Sequence, residues 1–358
     1  MRPGKRRSKV NVIRKRRIIK TKKIIALFLT IVLVFSTVAC SGPKVEDKEG
    51  PVETKTIKFA HWYAEGHPQH LAILKFKELV EEKSNGSLIV EVYPNAQLGS
   101  EDVFIDSVQA GTVEMGSCGT MVSKFLPKIA AAETPFLLGG WKDAKSVLTG
   151  ELGKELVADL PEASGVRATA ITVNGFRQFS SNKPMNSLAD FKGQRIRVPN
   201  VAHFLKMVEG IGATPIAMSL SELFTALEQN TVDGQENPYA TIYANSFYEV
   251  QDYVLESNHM FSPAFWIVNE EFYQGLTDEQ RAAFDSSIEE AAAYNWEIAE
   301  AADMESKQMI ADAGVTIIEP DDAFKKDLQD PQGEVYQYFY DTYEGSEEWV
   351  KKVNEFLK

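Results

Sequence analysis

Residues 277–313 form a run of 37 positions without a single Pro or Gly, rich in Ala, Glu and Gln. Nothing in that stretch breaks a helix, and Thr277 with Gln280 three residues on makes a capping box at its start. At 1.5 Å per residue, an unbroken helix of that length measures about 55 Å. That is longer than one domain is wide. The stretch is therefore expected to run across two lobes; the alternative is two helices with a turn near Asp303.

Other segments supply material for two lobes. Residues 56–60 read as a strand, and 68–83 as a helix with Ala72, Phe76, Leu79 and Val80 on one face. Residues 87–93 alternate as a strand, with Leu88, Val90 and Val92 on one side. Ser100, followed by Glu101 and Asp102, starts a helix that runs towards Ala110. Strand, helix, strand, helix implies a parallel α/β sheet. Further on, residues 167–173 and 194–199 read as strands. Ser219 with Glu222 caps a helix that ends near Gln229, with Asn230 as its stop.

Charge is distributed unevenly. Residues 1–39 hold 12 of the 38 Lys and Arg and none of the 51 Asp and Glu. The remainder has 26 basic against 51 acidic residues, a formal net charge of −25. Such a body repels nucleic acid and anionic lipid, which argues against both as partners. The basic head runs into IIALFLTIVLVFS at 24–36. A helix of that length reaches about 20 Å against a hydrocarbon core of about 30 Å, too short to span. Residues 1–39 therefore read as a signal peptide. Thr37, Val38, Ala39 and Cys40 resemble a bacterial lipobox, which makes Cys40 the expected lipidation site. Residues 40–55, rich in Lys, Glu, Gly and Pro, read as a lipidated tether. Cys118 then has no partner, so no disulfide is expected. The roughly 300 residues left suffice for two cores.

No catalytic constellation holds. GSCG at 116–119 has the wrong spacing for a nucleophile elbow. There is no Gly-rich phosphate loop, and Cys118 has no neighbouring His, so it reads as a small buried hydrophobe. His61, His67 and His70 lack a carboxylate or Cys at metal spacing and read as surface or cleft-edge histidines. No metal and no cofactor is expected. DGQENP at 233–238 has alternating oxygens but not the rest of a calcium loop, and reads as an exposed turn. The arginines are more informative. Arg177 follows directly after a strand, and Arg197 lies within a strand, sharing a face with Arg195 and Pro199. A buried guanidinium needs an anion, and its planar fork suits a carboxylate. That anion is either a ligand or a protein carboxylate such as Glu236.

Six ordered motifs extend this picture: YPNAQLG (93–99), VQAG (108–111), NGFRQ (174–178), FKGQRIRVPN (191–200), GATP (212–215) and VDGQENP (232–238). Together they resemble the DctP-type solute-binding proteins of tripartite ATP-independent periplasmic (TRAP) transporters. The resemblance implies a two-lobed, periplasmic-binding-protein-like α/β fold with a long helix joining both lobes. Lobe I would comprise 56–174 plus about 263–302, and lobe II 175–262 plus about 303–358. It also implies that Arg197 pairs with a substrate carboxylate, that Arg177 is a second anion contact, and that Asn237 and Asn200 are polar contacts. Glu236 is expected to orient Arg197, and Trp62, Tyr63 and Phe176 to line the cleft. The chain departs from the sialic-acid-binding branch at Trp62 and Gly119, which leaves a sugar acid or a C4-dicarboxylate as expected cargo. The implied partners are TRAP membrane subunits, with the protein held outside the cytoplasm by its lipid. The competing readings are a binding protein of an ATP-driven importer, a secreted sugar-acid enzyme, and a sensor-associated receptor.

Overall fold

The computed structural model describes residues 53–358; the expected signal peptide, Cys40 and most of the tether lie outside them. Nine strands form one mixed sheet: β1 (Lys55–His61), β2 (Leu88–Tyr93), β3 (Met115–Cys118), β4 (Val166–Ser181), β5 (Arg195–Val198), β6 (Thr214–Ala217), β7 (Gly234–Asn237), β8 (Tyr253–Asn269) and β9 (Thr316–Ile318). Their order is β2-β1-β3-β8-β4-β7-β5-β6, with β9 paired to β8. The parallel pairing expected for the first unit is present between β1 and β2 and between β1 and β3. A second parallel group, β6-β5-β7, lies at the other end. Between them β4 and β8 run antiparallel to each other along most of their length. The sheet is thus mixed rather than all parallel, because two long strands belong to both groups.

Each group is covered on both faces, as parallel strands require. Around β1–β3, one core gathers Phe76, Val90 and Trp266 with Phe284 and Ile288 of the long helix. The opposite face packs Phe104, Val122, Phe261 and Phe265. At the other end, Ile196, Val198, Phe204 and Phe339 form one core, and Leu223, Ile242, Val254 and Ile310 another. The long helix Asp278–Asp312 is a single element of 35 residues, opened by the complete Thr277–Gln280 capping box. It contributes to both ends, so the alternative of a turn near Asp303 is excluded. The C-terminal helix Ser346–Phe356 packs with the β1–β3 end: Trp349, Val350 and Val353 lie among Ile129, Leu148 and Leu156. Among the described residues no helix is long and apolar enough to cross a membrane.

Candidate ligand-binding site

Between the two strand groups lies a cavity of about 900 Å³. Its wall is built largely by residues just beyond the carboxyl ends of parallel strands: Trp62 and Tyr63 after β1, Gly119 after β3, Pro199 and Asn200 after β5, and 218–222 after β6. Ligands of open α/β sheets collect at that edge because several loops converge there on exposed strand ends.

Arg197 enters from β5 and is 3% exposed. Its Nε and Nη2 both donate to the Met218 carbonyl, at 3.0 and 2.7 Å. No carboxylate among the described residues lies within ion-pair distance, and Nη1 makes no hydrogen bond to them. Burial, against the pull of Glu236 and with the repulsion of Arg177, lowers its pKa to about 10. It remains charged at neutral pH.

Arg177 is held quite differently. Its Nε and Nη2 grip both carboxylate oxygens of Glu236, with the Nη2 contact at 2.8 Å. Nη2 also reaches the Glu236 carbonyl at 2.7 Å and Asn237 Oδ1 at 3.1 Å, while Nη1 donates to Ser262 Oγ at 3.2 Å. Burial opposes its charge, but Glu236 outweighs that and leaves the pKa raised. Glu236 is fully buried, and burial would raise its pKa; Arg177 and then His259 reverse this, holding it below the ordinary value. Glu236 therefore orients Arg177 and not Arg197, correcting the expected pairing. Register explains why. Arg197 pairs across the sheet with Gln235, and period-2 alternation turns the next residue, Glu236, to the other face.

Of the other expected residues, Trp62, Tyr63, Asn200 and Asn237 line the cavity. The Trp62 and Tyr63 rings lie against each other, centroids 3.8 Å apart. Asn237 is buried, accepting from Arg177 and donating to Gln235 Oε1 at 2.6 Å. Phe176 does not line this cavity. It packs edge-on against Phe261 and Trp141 and borders a second cavity of about 380 Å³. The cause is a register shift on β4 between Val173 and Gly175, where Gly175 has φ +134°. Strict alternation would set Asn174 and Phe176 together; the bulge instead leaves Asn174 and Arg177 both on the cavity.

Two further expectations change. The segment 233–238 is not an exposed turn: Gly234–Asn237 is the buried strand β7, and Asp233 pairs with Arg195. A Cβ on Gly234 would come within 2.3 Å of the Ser180 carbonyl, so only glycine fits there. The three histidines are buried, not at a surface. His61 Nε2 and His70 Nδ1 are 3.1 Å apart, and His67 caps the first helix by accepting from Gln69 N. Burial pushes His61 and His67 down to about 3, so both are neutral. Cys118 is buried, as read from sequence.

Sequence reading missed the acidic wall. Glu101, read only as a helix start, is half-buried, opens onto the cavity and accepts from Gly119 N at 2.6 Å. Burial, opposed by that N–H and by Arg197 but reinforced by Glu133, raises its pKa to about 7. Glu133 ends a 3-10 turn, is 2% exposed, accepts from Ser262 Oγ at 3.0 Å and meets His203 Nε2 at 3.3 Å. The run of acids after Ser100 was a legible signal for the first; no local pattern marks the second.

A buried cation that faces a cavity between two strand groups and has no carboxylate partner among the described residues is suited to hold a small anion. The chain matches the bacterial extracellular solute-binding protein family 7, DctP, over residues 59–342, and it belongs to that family. It is 30% identical, over 82% of its length and 86% of the relative's, to the 2,3-diketo-L-gulonate-binding periplasmic protein YiaO of Escherichia coli. It is 32% identical to the C4-dicarboxylate-binding periplasmic protein DctP of Rhodobacter capsulatus, over 74% of this chain and 80% of that one. The crystal structure of a TRAP periplasmic solute-binding protein from Haemophilus influenzae with bound L-gulonate superposes with a TM-score of 0.81 at 35% identity, covering 84% of this chain and 99% of that one. That structure is of a two-lobed TRAP binding protein, and the present fold is of the same kind.

Proposed function

We propose that this protein captures an organic-acid anion, a sugar acid or a C4-dicarboxylate, in the large cavity and delivers it to TRAP membrane subunits. The observation that carries the proposal is Arg197: buried, charged, held by a carbonyl, and with no carboxylate of the described residues beside it. A ligand carboxylate supplies the missing anion in bidentate geometry. Arg177 adds positive potential, with Asn237 and Asn200 as polar contacts and Trp62 and Tyr63 as an aromatic wall. Cavity walls from both strand groups support lobe closure around the ligand, which expels water and strengthens the charge-assisted bonds. The four cores support the two-lobe division, with Ser346–Phe356 counted in lobe I. The organic acids named for the relatives agree with this cargo, and a binding role without catalysis fits an architecture whose family binds solutes.

The experiment is calorimetric titration of the Arg197→Ala variant. Removing one partner of a buried ion pair costs roughly 3–5 kcal/mol, so affinity is expected to fall by about 150- to 5,000-fold. Near-normal carboxylate binding would sink the assignment. Export and acylation at Cys40 complete the proposal, with the protein lipid-anchored outside the cytoplasm, in a periplasm or on the outer face of the cell membrane. Cys40→Ala should move the protein from the membrane fraction to the soluble one; retention in the membrane would refute the lipid anchor.

A further inference from the structure

The charge balance of the cavity goes further. Two cations face it, Arg177 and Arg197, and among the described residues there is no third. Arg177 already has its anion, since Glu236 occupies its fork and the buried pair is closed on itself. One positive charge is therefore left for a ligand. Against it stand carboxylates among the lining residues: Glu101 and Glu133 on the side of β1–β3, with Asp102 and Glu222 more exposed at the edge. Glu101 lies near enough to Glu133 and to Arg197 to feel the charge of both. Both are held in place, Glu101 by the Gly119 N–H and Glu133 by the Ser262 hydroxyl.

We infer that the site selects a monocarboxylate carrying several hydroxyls, of the hexonate or hexuronate type, and rejects a dicarboxylate, with Glu101 as a specificity-determining residue. This rests on the reading that the ligand carboxylate sits on Arg197. Once it does, a second carboxylate on the same short ligand finds no free cation among the lining residues and lies beside acidic groups, which give it no compensating charge. Hydroxyls meet the same acids as hydrogen-bond partners, because a carboxyl oxygen accepts an O–H in either protonation state.

Calorimetric titration of the purified protein with L-gulonate, D-glucuronate, succinate, L-malate and the neutral hexitol sorbitol tests this. A sugar acid that binds more than tenfold tighter than either dicarboxylate, and tighter than sorbitol, is the expected result. A dicarboxylate within tenfold of the best sugar acid overturns the inference while leaving carboxylate capture by Arg197 intact. Sorbitol binding as tightly as the sugar acids, or no binding by any carboxylate, removes that underlying reading and the inference with it. In Glu101→Gln the gap should narrow, with sugar-acid affinity falling about tenfold, the effect of losing a charged hydrogen bond, and succinate affinity rising. Equal changes for both ligands would overturn the role of Glu101. Should that variant fail to fold, the wild-type comparison decides by itself.

Discussion

Two arginines in one cavity differ in what compensates their charge. Arg177 is locked to Glu236 by bidentate contacts and is 5% exposed, so its charge is compensated within the protein and it serves chiefly to make the cavity lining rigid. Arg197 has only the Met218 carbonyl, which fixes its direction and leaves its charge available. The difference predicts opposite responses. Glu236→Gln strips the carboxylate from a buried guanidinium and should cost roughly 3–5 kcal/mol of stability in urea unfolding. A loss below about 1 kcal/mol would mean that Arg177 finds another anion. At this scale the sequence revealed the important residue types but not their pairing. Arg177, Arg197 and Glu236 are all visible in the motifs; which arginine takes the glutamate depends on the register of β5 against β7.

Among the elements, the bulge on β4 and the long helix do most to shape the site. Asp303, within the helix and 5% exposed, accepts from Ala240 N at 3.0 Å, at the start of the short helix Tyr239–Ala244. That helix follows Asn237 by one residue, so Asp303 pins the wall from which Asn237 projects. Burial, opposed by the Ala240 and Tyr239 N–H groups, raises the Asp303 pKa to about 7 from an ordinary 3.8. The folded state thus holds this proton more tightly than the unfolded chain does. The contribution of Asp303 to stability is full below pH 3.8 and is lost as pH rises through 7. Asp303→Asn, which does not titrate, should gain on the wild type by a few kcal/mol between pH 4 and 8, at roughly 1.4 kcal/mol per pH unit within the window. Thermal melts at several pH values measure this; a pH-independent difference would contradict the buried acid. The helix itself and its capping box were legible, because absence of Pro and Gly and a Thr-x-x-Gln start are local properties. The bulge was not, and with it went the facing of Phe176: one inserted residue reverses side-chain parity without leaving a compositional trace.

For the whole molecule, two strand groups share the long strands β4 and β8, one long helix and a C-terminal helix that returns to the β1–β3 end. Trp349 anchors that return, 2% exposed, with its Nε1 donating to the Leu152 carbonyl at 2.9 Å. Trp349→Ala should cost about 3–5 kcal/mol, the range for deleting a large buried aromatic. Guanidinium unfolding would show it, and an unchanged midpoint would mean that the helix is dispensable to that core. The sequence by itself determined the alternating α/β segments, the unbroken long helix and the six motifs that place the chain in its family, because each rests on spacing along the chain. Only the tertiary structure decided the mixed sheet, the return of the last helix, the Arg177–Glu236 pair and the acidic wall of Glu101 and Glu133. Those depend on which strands meet and in what register, and they bring together groups tens of residues apart whose contact no local pattern encodes.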